Sequence, residues 1–80
     1  MNKRKRKENE KKFSDWKSTS NGRRIYWRDV KGKMGWKAKY LKEVDEHENT
    51  LRFWQEIYDE QNNLVEIHEK YPHDRGHKKL

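Results

Sequence analysis

The C-terminal segment gathers residue types that general acid–base chemistry needs: Glu66, His68, Lys70, His73, Asp74, Arg75 and His77. Cleaving RNA without a metal requires a base to take the 2′-OH proton, an acid for the departing 5′-oxygen, and cations for the charge that builds on the phosphate. Histidine suits both proton transfers because its ordinary pKa lies near neutrality. Glu66, His68 and Lys70 alternate along a strand-like run, so their side chains leave one face of it together. His77 is a second proton carrier, Glu56 a second carboxylate, and Arg52 and Arg75 are further cations for such a set. Alternatively, His68, His73 and His77 with Asp74 would suit a divalent metal. His73 and His77 are spaced for a helix, which Pro72 and Gly76 disfavour. Read without chemistry, the segment is an exposed strand end followed by a polar tail.

A second constellation is cationic. Lys3, Arg4, Lys5, Arg6, Lys7, Lys11 and Lys12 crowd residues 1–12 against only Glu8 and Glu10, and Arg23, Arg24 and Arg28 follow. Clustered cations bind phosphates largely through counterion release, which adds up over contacts, although a solubilising tail would carry the same charge. Aromatic side chains interleave with cations at Tyr26, Trp27 and Arg28 and again near Trp54 and Tyr58. Exposed on a sheet they would stack unpaired bases; buried, they would supply the core of a small domain. The +7 net charge is unevenly spread: residues 17–42 carry +8 and residues 43–69 carry −8. A polyanion would be steered to the first half and the extreme C-terminus. The same polarity would let copies of the chain associate, basic half to acidic half.

These residues must be positioned by a thin core. Eighty residues make one domain at most, and 29% hydrophobic against 44% charged leaves little to bury. The apolar residues concentrate between Ile25 and Tyr71. With no Cys, neither disulfides nor a thiolate metal site can compensate. No apolar run approaches the roughly 20 residues of a membrane span, and residues 1–12 lack the apolar stretch of a secretory signal. No motif implies a cofactor.

Residues 1–22 read as a disordered basic arm and linker, with a short helix within 7–17 that is marginal on its own. Losing such an arm should leave the fold intact. Residues 23–80 read as a small antiparallel β domain with a polar C-terminal tail. Four strands are expected, about Arg23 to Asp29, Met34 to Val44, Thr50 to Asp59 and Leu64 to Tyr71, joined by connections too short for parallel crossovers. The class is α+β, mostly β: a four-stranded antiparallel meander. Alternation puts Trp36, Ala38, Tyr40 and Val44 on one face, and Leu51, Phe53 and Ile57 on one face, as core candidates. Arg52, Trp54, Glu56 and Tyr58 point the other way. On the last strand, Val65, Ile67 and Tyr71 oppose Leu64, Glu66, His68 and Lys70, giving the sheet one greasy and one polar face.

Gly22, Arg23, Arg24, Ile25, Tyr26, Trp27, Arg28 and Asp29, a basic tail running into a short meander, resemble the opening of the catalytic domain of colicin-type tRNA-cleaving toxins. More broadly the chain resembles the small C-terminal nuclease domains of bacterial polymorphic toxins, grouped with barnase and the ribosome-dependent RelE toxins. The resemblance implies a metal-independent endoribonuclease with a helical N-terminal part and a four-stranded sheet. It also implies a tRNA or ribosome-associated RNA substrate and an acidic immunity protein or antitoxin as partner. Such a protein would be cytoplasmic, or secreted and delivered into a target cytoplasm. Only Arg23 and Arg24 carry over residue by residue. The catalytic expectation therefore rests on His68, Glu66, Lys70, His77 and Arg75, and the RNA-binding one on Lys3, Arg4, Lys5, Arg6, Lys7, Arg23, Arg24, Arg28, Trp27 and Trp54. A non-catalytic RNA- or DNA-binding module would need the basic residues but not the histidines.

Overall fold

The computed structural model describes residues 2–80; Met1, the first residue of the expected arm, lies outside them. Among the described residues, one α-helix, α1 (Lys3–Lys12), precedes six strands: β1 (Asp15–Ser18), β2 (Arg24–Lys31), β3 (Lys37–Val44), β4 (Thr50–Tyr58), β5 (Leu64–Tyr71) and β6 (His77–Lys79). They form one sheet whose order in space is chain order, with every neighbouring pair antiparallel. The class is α+β, mostly β, and the four expected strands are β2 to β5, except that the second begins at Lys37 and not at Met34, because Lys33–Gly35 form a 3-10 turn. Two further points are corrected. The sheet has six strands, and the arm expected to be disordered forms α1. The added strands β1 and β6 read DWKS and HKK, too short and polar to show an alternation. Pairing with β2 and β5 recruits them.

The sequence of α1, KRKRKENEKK, contains no apolar residue. The Asn2 side chain caps it, accepting from the Lys5 N–H at 3.0 Å, and Lys11 and Lys12 sit at the negative end of its dipole. Tertiary anchors do the rest. Phe13, which ends the helix, is buried with Tyr26 and Val44, its ring 6.0 Å from that of Tyr26. Buried Asn9 accepts from Lys42 Nζ at 2.9 Å, Glu10 accepts from Arg24 Nη1 at 3.4 Å, and Lys5 Nζ donates to Asn49 at 3.2 Å. Burial, and then the nearby Lys12, lower the pKa of Lys42. The helix belongs to the packed domain, and removing it would uncover Tyr26 and Val44.

The β3–β4 and β4–β5 connections are copies of one turn. In each, an Asp side chain accepts backbone N–H groups two and four residues on: Asp45 from His47 at 2.8 Å and Asn49 at 2.9 Å, Asp59 from Gln61 and Asn63 at 2.9 Å each. The fourth residue of each turn is left-handed, with φ +65° at Glu48 and +66° at Asn62. Asn accepts that conformation readily; Glu does not. Glu48 is placed there because its buried carboxylate accepts the Tyr26 hydroxyl, with Arg6 at 3.9 Å.

Register sorts the side chains into rows running across the strands. On the face that carries α1, the first row is Trp16, Tyr26, Lys42, Phe53 and Tyr71; the second is Arg28, Tyr40, Gln55, His68 and His77; the third is Val30, Ala38, Ile57, Glu66 and Lys79. Helix α1 packs on the first. On the reverse face, Trp27, Leu41 and Trp54 make an apolar row, with Ile25 and Ile67 nearby among charged residues. The expected division into a greasy and a polar face is thus corrected: His68 shares the face of Tyr40 and Phe53, while Ile67 lies behind. Trp36 precedes β3 and is 40% exposed, outside the core. Among the described residues, no helix is long and apolar enough to cross a membrane.

Candidate functional site

The second row builds the site. Arg28 of β2 pairs with Tyr40, Tyr40 with Gln55, Gln55 with His68, and His68 with His77 of β6. Strands stand about 4.8 Å apart, so the five side chains form a strip roughly 19 Å long. Gln55 Nε2 donates to the Tyr40 hydroxyl at 3.2 Å, and the His68 and His77 ring centroids are 4.4 Å apart. Lys70, two residues beyond His68, brings Nζ to 5.3 Å from the centre of the Tyr40 ring; the Arg28 guanidinium lies 5.3 Å from the same ring. Neither cation forms an ion pair among the described residues. Two cations outside any close ion pair and sharing one aromatic platform favour an incoming phosphate, and the Lys70 charge also acts on Asp74.

The His68 ring is held from the side. Its Nε2 lies 2.6 Å from Asp74 Oδ1, which also accepts the Gly76 N–H at 3.0 Å. These bonds, that of His68 foremost, hold the Asp74 carboxyl below its usual range. An ionised Asp74 can only accept, so the His68 proton belongs on Nε2 and the lone pair of the neutral ring on Nδ1. Nδ1 is buried and lacks a hydrogen-bond partner among the described residues. His77, by contrast, is exposed on the edge strand. The arrangement pairs an inner imidazole, oriented by a carboxylate, with an outer one open to solvent.

The expected residues divide accordingly. His68, His77 and Lys70 are brought together toward one end of the row, and Arg28 lies at the other. Glu66 is in the next row, opposite Ile57 and Lys79, and the carboxylate that reaches His68 is Asp74. Arg75 turns away to Glu69 at 3.2 Å, where Arg52 also pairs at 3.5 Å. His73 is exposed on the loop before β6, and among the described residues no three His, Asp or Glu side chains are grouped to hold a metal ion. Tyr40, a core candidate, does pack against the core beside Phe53 while also serving the row; Gln55 is not among the residues the sequence singles out. Its signal was a lone polar side chain alternating with Phe53 and Ile57.

Of the expected RNA-binding residues, Lys3, Arg4 and Lys7 line the outer surface of α1 with Lys11. Lys5 and Arg6 help dock the helix. Arg24 is buried, its guanidinium 3.7 Å from the centre of the Trp16 ring and bonded to Glu10 and Tyr26, so it is structural. Arg23 lies 4.0 Å from Glu43. Trp27, half-buried on the reverse face, has Lys39 Nζ 5.6 Å from its ring. Trp54 is only 8% exposed, with Arg52 over its ring at 4.3 Å and its Nε1–H donating to Glu56 at 3.0 Å, which closes it as a stacking platform. Comparison with known proteins finds no matching family model, no similar curated protein and no similar solved structure.

Proposed function

We propose that the chain is a toxin-type ribonuclease that cuts RNA by general acid–base chemistry, without a metal, along the row from Arg28 to His77. The observation that supports this is the placing of two adjacent imidazoles, one oriented by Asp74, in one row of the sheet with two cations that form no ion pair among the described residues. In the step, one histidine takes the 2′-OH proton and the 2′-oxygen bonds to phosphorus. The bond from phosphorus to the 5′-oxygen then breaks, and that oxygen takes a proton from the other histidine. The products are a 2′,3′-cyclic phosphate and a 5′-hydroxyl. Lys70 neutralises the phosphate as charge builds on it, Arg28 farther along the row engages the RNA backbone, and the outer stripe of α1 attracts RNA from a distance. A producing cell would need an acidic inhibitor to cover this cationic strip.

Incubating the purified protein with total RNA, tRNA and translating ribosomes in EDTA tests the proposal. Fragments ending in 2′,3′-cyclic phosphate support it; intact RNA across the whole panel excludes it. One observation favours a second reading, a non-catalytic RNA-binding module: the lone-pair nitrogen of His68 is screened from solvent. That reading expects RNA affinity without cleavage.

A further inference from the structure

We infer that the groove beside the row holds an unpaired nucleobase of the same RNA, a proposal that rests on the RNA-targeting reading above. The groove, about 790 Å³, is walled by Met34, Trp36, Ala38, Ile57 and Glu60, with Lys33 on its rim; the Lys37 ammonium lies over Tyr58 on the reverse face. Ala38 and Ile57 belong to the third row, two residues along their strands from Tyr40 and Gln55. Two residues of strand advance about 7 Å, a step comparable with that from a phosphate to its own base. A phosphate between Arg28 and Lys70 therefore leaves its base at the groove.

The groove is prepared for a flat apolar ligand. Trp36 donates its Nε1–H to Glu60 at 2.6 Å, which pins the indole while leaving it 40% exposed. Met34 is 90% exposed and sits at φ +59°, a backbone conformation that Gly or Asn would take more easily. Val30, at the end of the same row, is 42% exposed. A chain with so few apolar residues leaves these outside its core, which marks a binding surface. Charge selects the occupant. Lys33 at the rim, with Arg28 and Lys70 beyond it, calls for an apolar group attached to an anion, which a nucleotide is and an apolar peptide is not; the carboxylate in the wall, Glu60, is taken up by Trp36. Because a base must leave its partner to enter, the substrate class is single-stranded or looped RNA.

The test uses the full chain and a short single-stranded oligoribonucleotide carrying 2′-O-methyl groups throughout, so that cleavage plays no part. Its affinity is compared with that of copies made abasic at one position each, and with that of its duplex. One abasic position should weaken binding about 5- to 150-fold, as loss of one base–aromatic stack does, and the duplex should bind more weakly. Trp36→Ala should abolish the difference between intact and abasic oligonucleotides. Met34→Ala should reduce that difference, and it keeps the test valid should Trp36→Ala fail to fold. Equal binding of intact and abasic copies, with Arg28→Gln still weakening both, overturns the base site and leaves the RNA-targeting reading standing. Failure to bind any RNA at low salt overturns both.

Discussion

The Tyr26 hydroxyl donates to Glu48, a carboxylate that the β3–β4 turn carries into the core on a left-handed backbone. This bond joins the floor of the core to the turn against which α1 docks. Burial first, and then Glu48, push the Tyr26 hydroxyl up to about 12. An unfolded tyrosine titrates near 10, so this contribution to stability is complete below about pH 10 and is lost between about 10 and 12. Tyr26→Phe should cost about 1–3 kcal/mol in urea denaturation at neutral pH by stranding the carboxylate. It should also flatten the alkaline decline. A residue of that decline remains, because burial and Glu56 push Tyr58 up to about 12 as well.

Replacing the inner imidazole separates cleavage from binding. His68→Ala should slow RNA cleavage at least about 10²-fold, the lower range for a lost acid or base. RNA affinity should barely change, since Arg28, Lys70 and the helix stripe remain. Asp74→Asn should slow cleavage less and displace the pH–rate profile, because the ring stays while its orienting charge goes. An unmoved profile would show that Asp74 only shapes the loop.

Acid stability depends on carboxylates at turns. Asp45 is held below its usual range by the Asn49 N–H foremost, and Asp74 by His68. Both contribute stability above the unfolded carboxyl value of about 3.9, and both lose it as pH falls below about 4 through their lower folded values. Melting temperature should therefore hold from neutral pH to about 4 and fall below it. In Asp45→Asn the midpoint should be lower at neutral pH, with a shallower acid decline.

Cations on α1 have separable roles. Changing Lys3, Arg4, Lys7 and Lys11 together to Ser should reduce the slope of log K for RNA against log salt by up to about 4, with little change in melting temperature. Arg24→Gln should do the reverse, since its guanidinium is enclosed by Trp16, Tyr26 and Glu10. A slope unaffected by the fourfold change would remove α1 from the RNA surface.

The four long strands were legible because alternation and turn residues both marked them. The helix was not, because polar residues dock it: Asn9, Lys5 and Glu10 look like solvated side chains until Lys42, Asn49 and Arg24 are folded beneath them. Strand parity correctly put His68 and Lys70 on one side. Parity does not give register, and register alone sets Arg28, Tyr40 and Gln55 in line with them. Glu66 was the natural partner for His68 by sequence distance, yet residues two apart along a strand project side by side. A loop that folds back, as Asp74 does, meets the ring end-on.

Spatial order that repeats chain order has a consequence for how the molecule assembles. Each sheet contact closes a short loop, so the strands can zip from one hairpin to the next, a topology that folds fast. The helix cannot join early: its contacts span 33 residues between Asn9 and Lys42, and 44 between Lys5 and Asn49. Pulsed amide exchange during refolding should show protection in β3 and β4 before α1; simultaneous protection would refute that order. On a ribosome, the helix emerges before the strands it needs and is then the last to find its place.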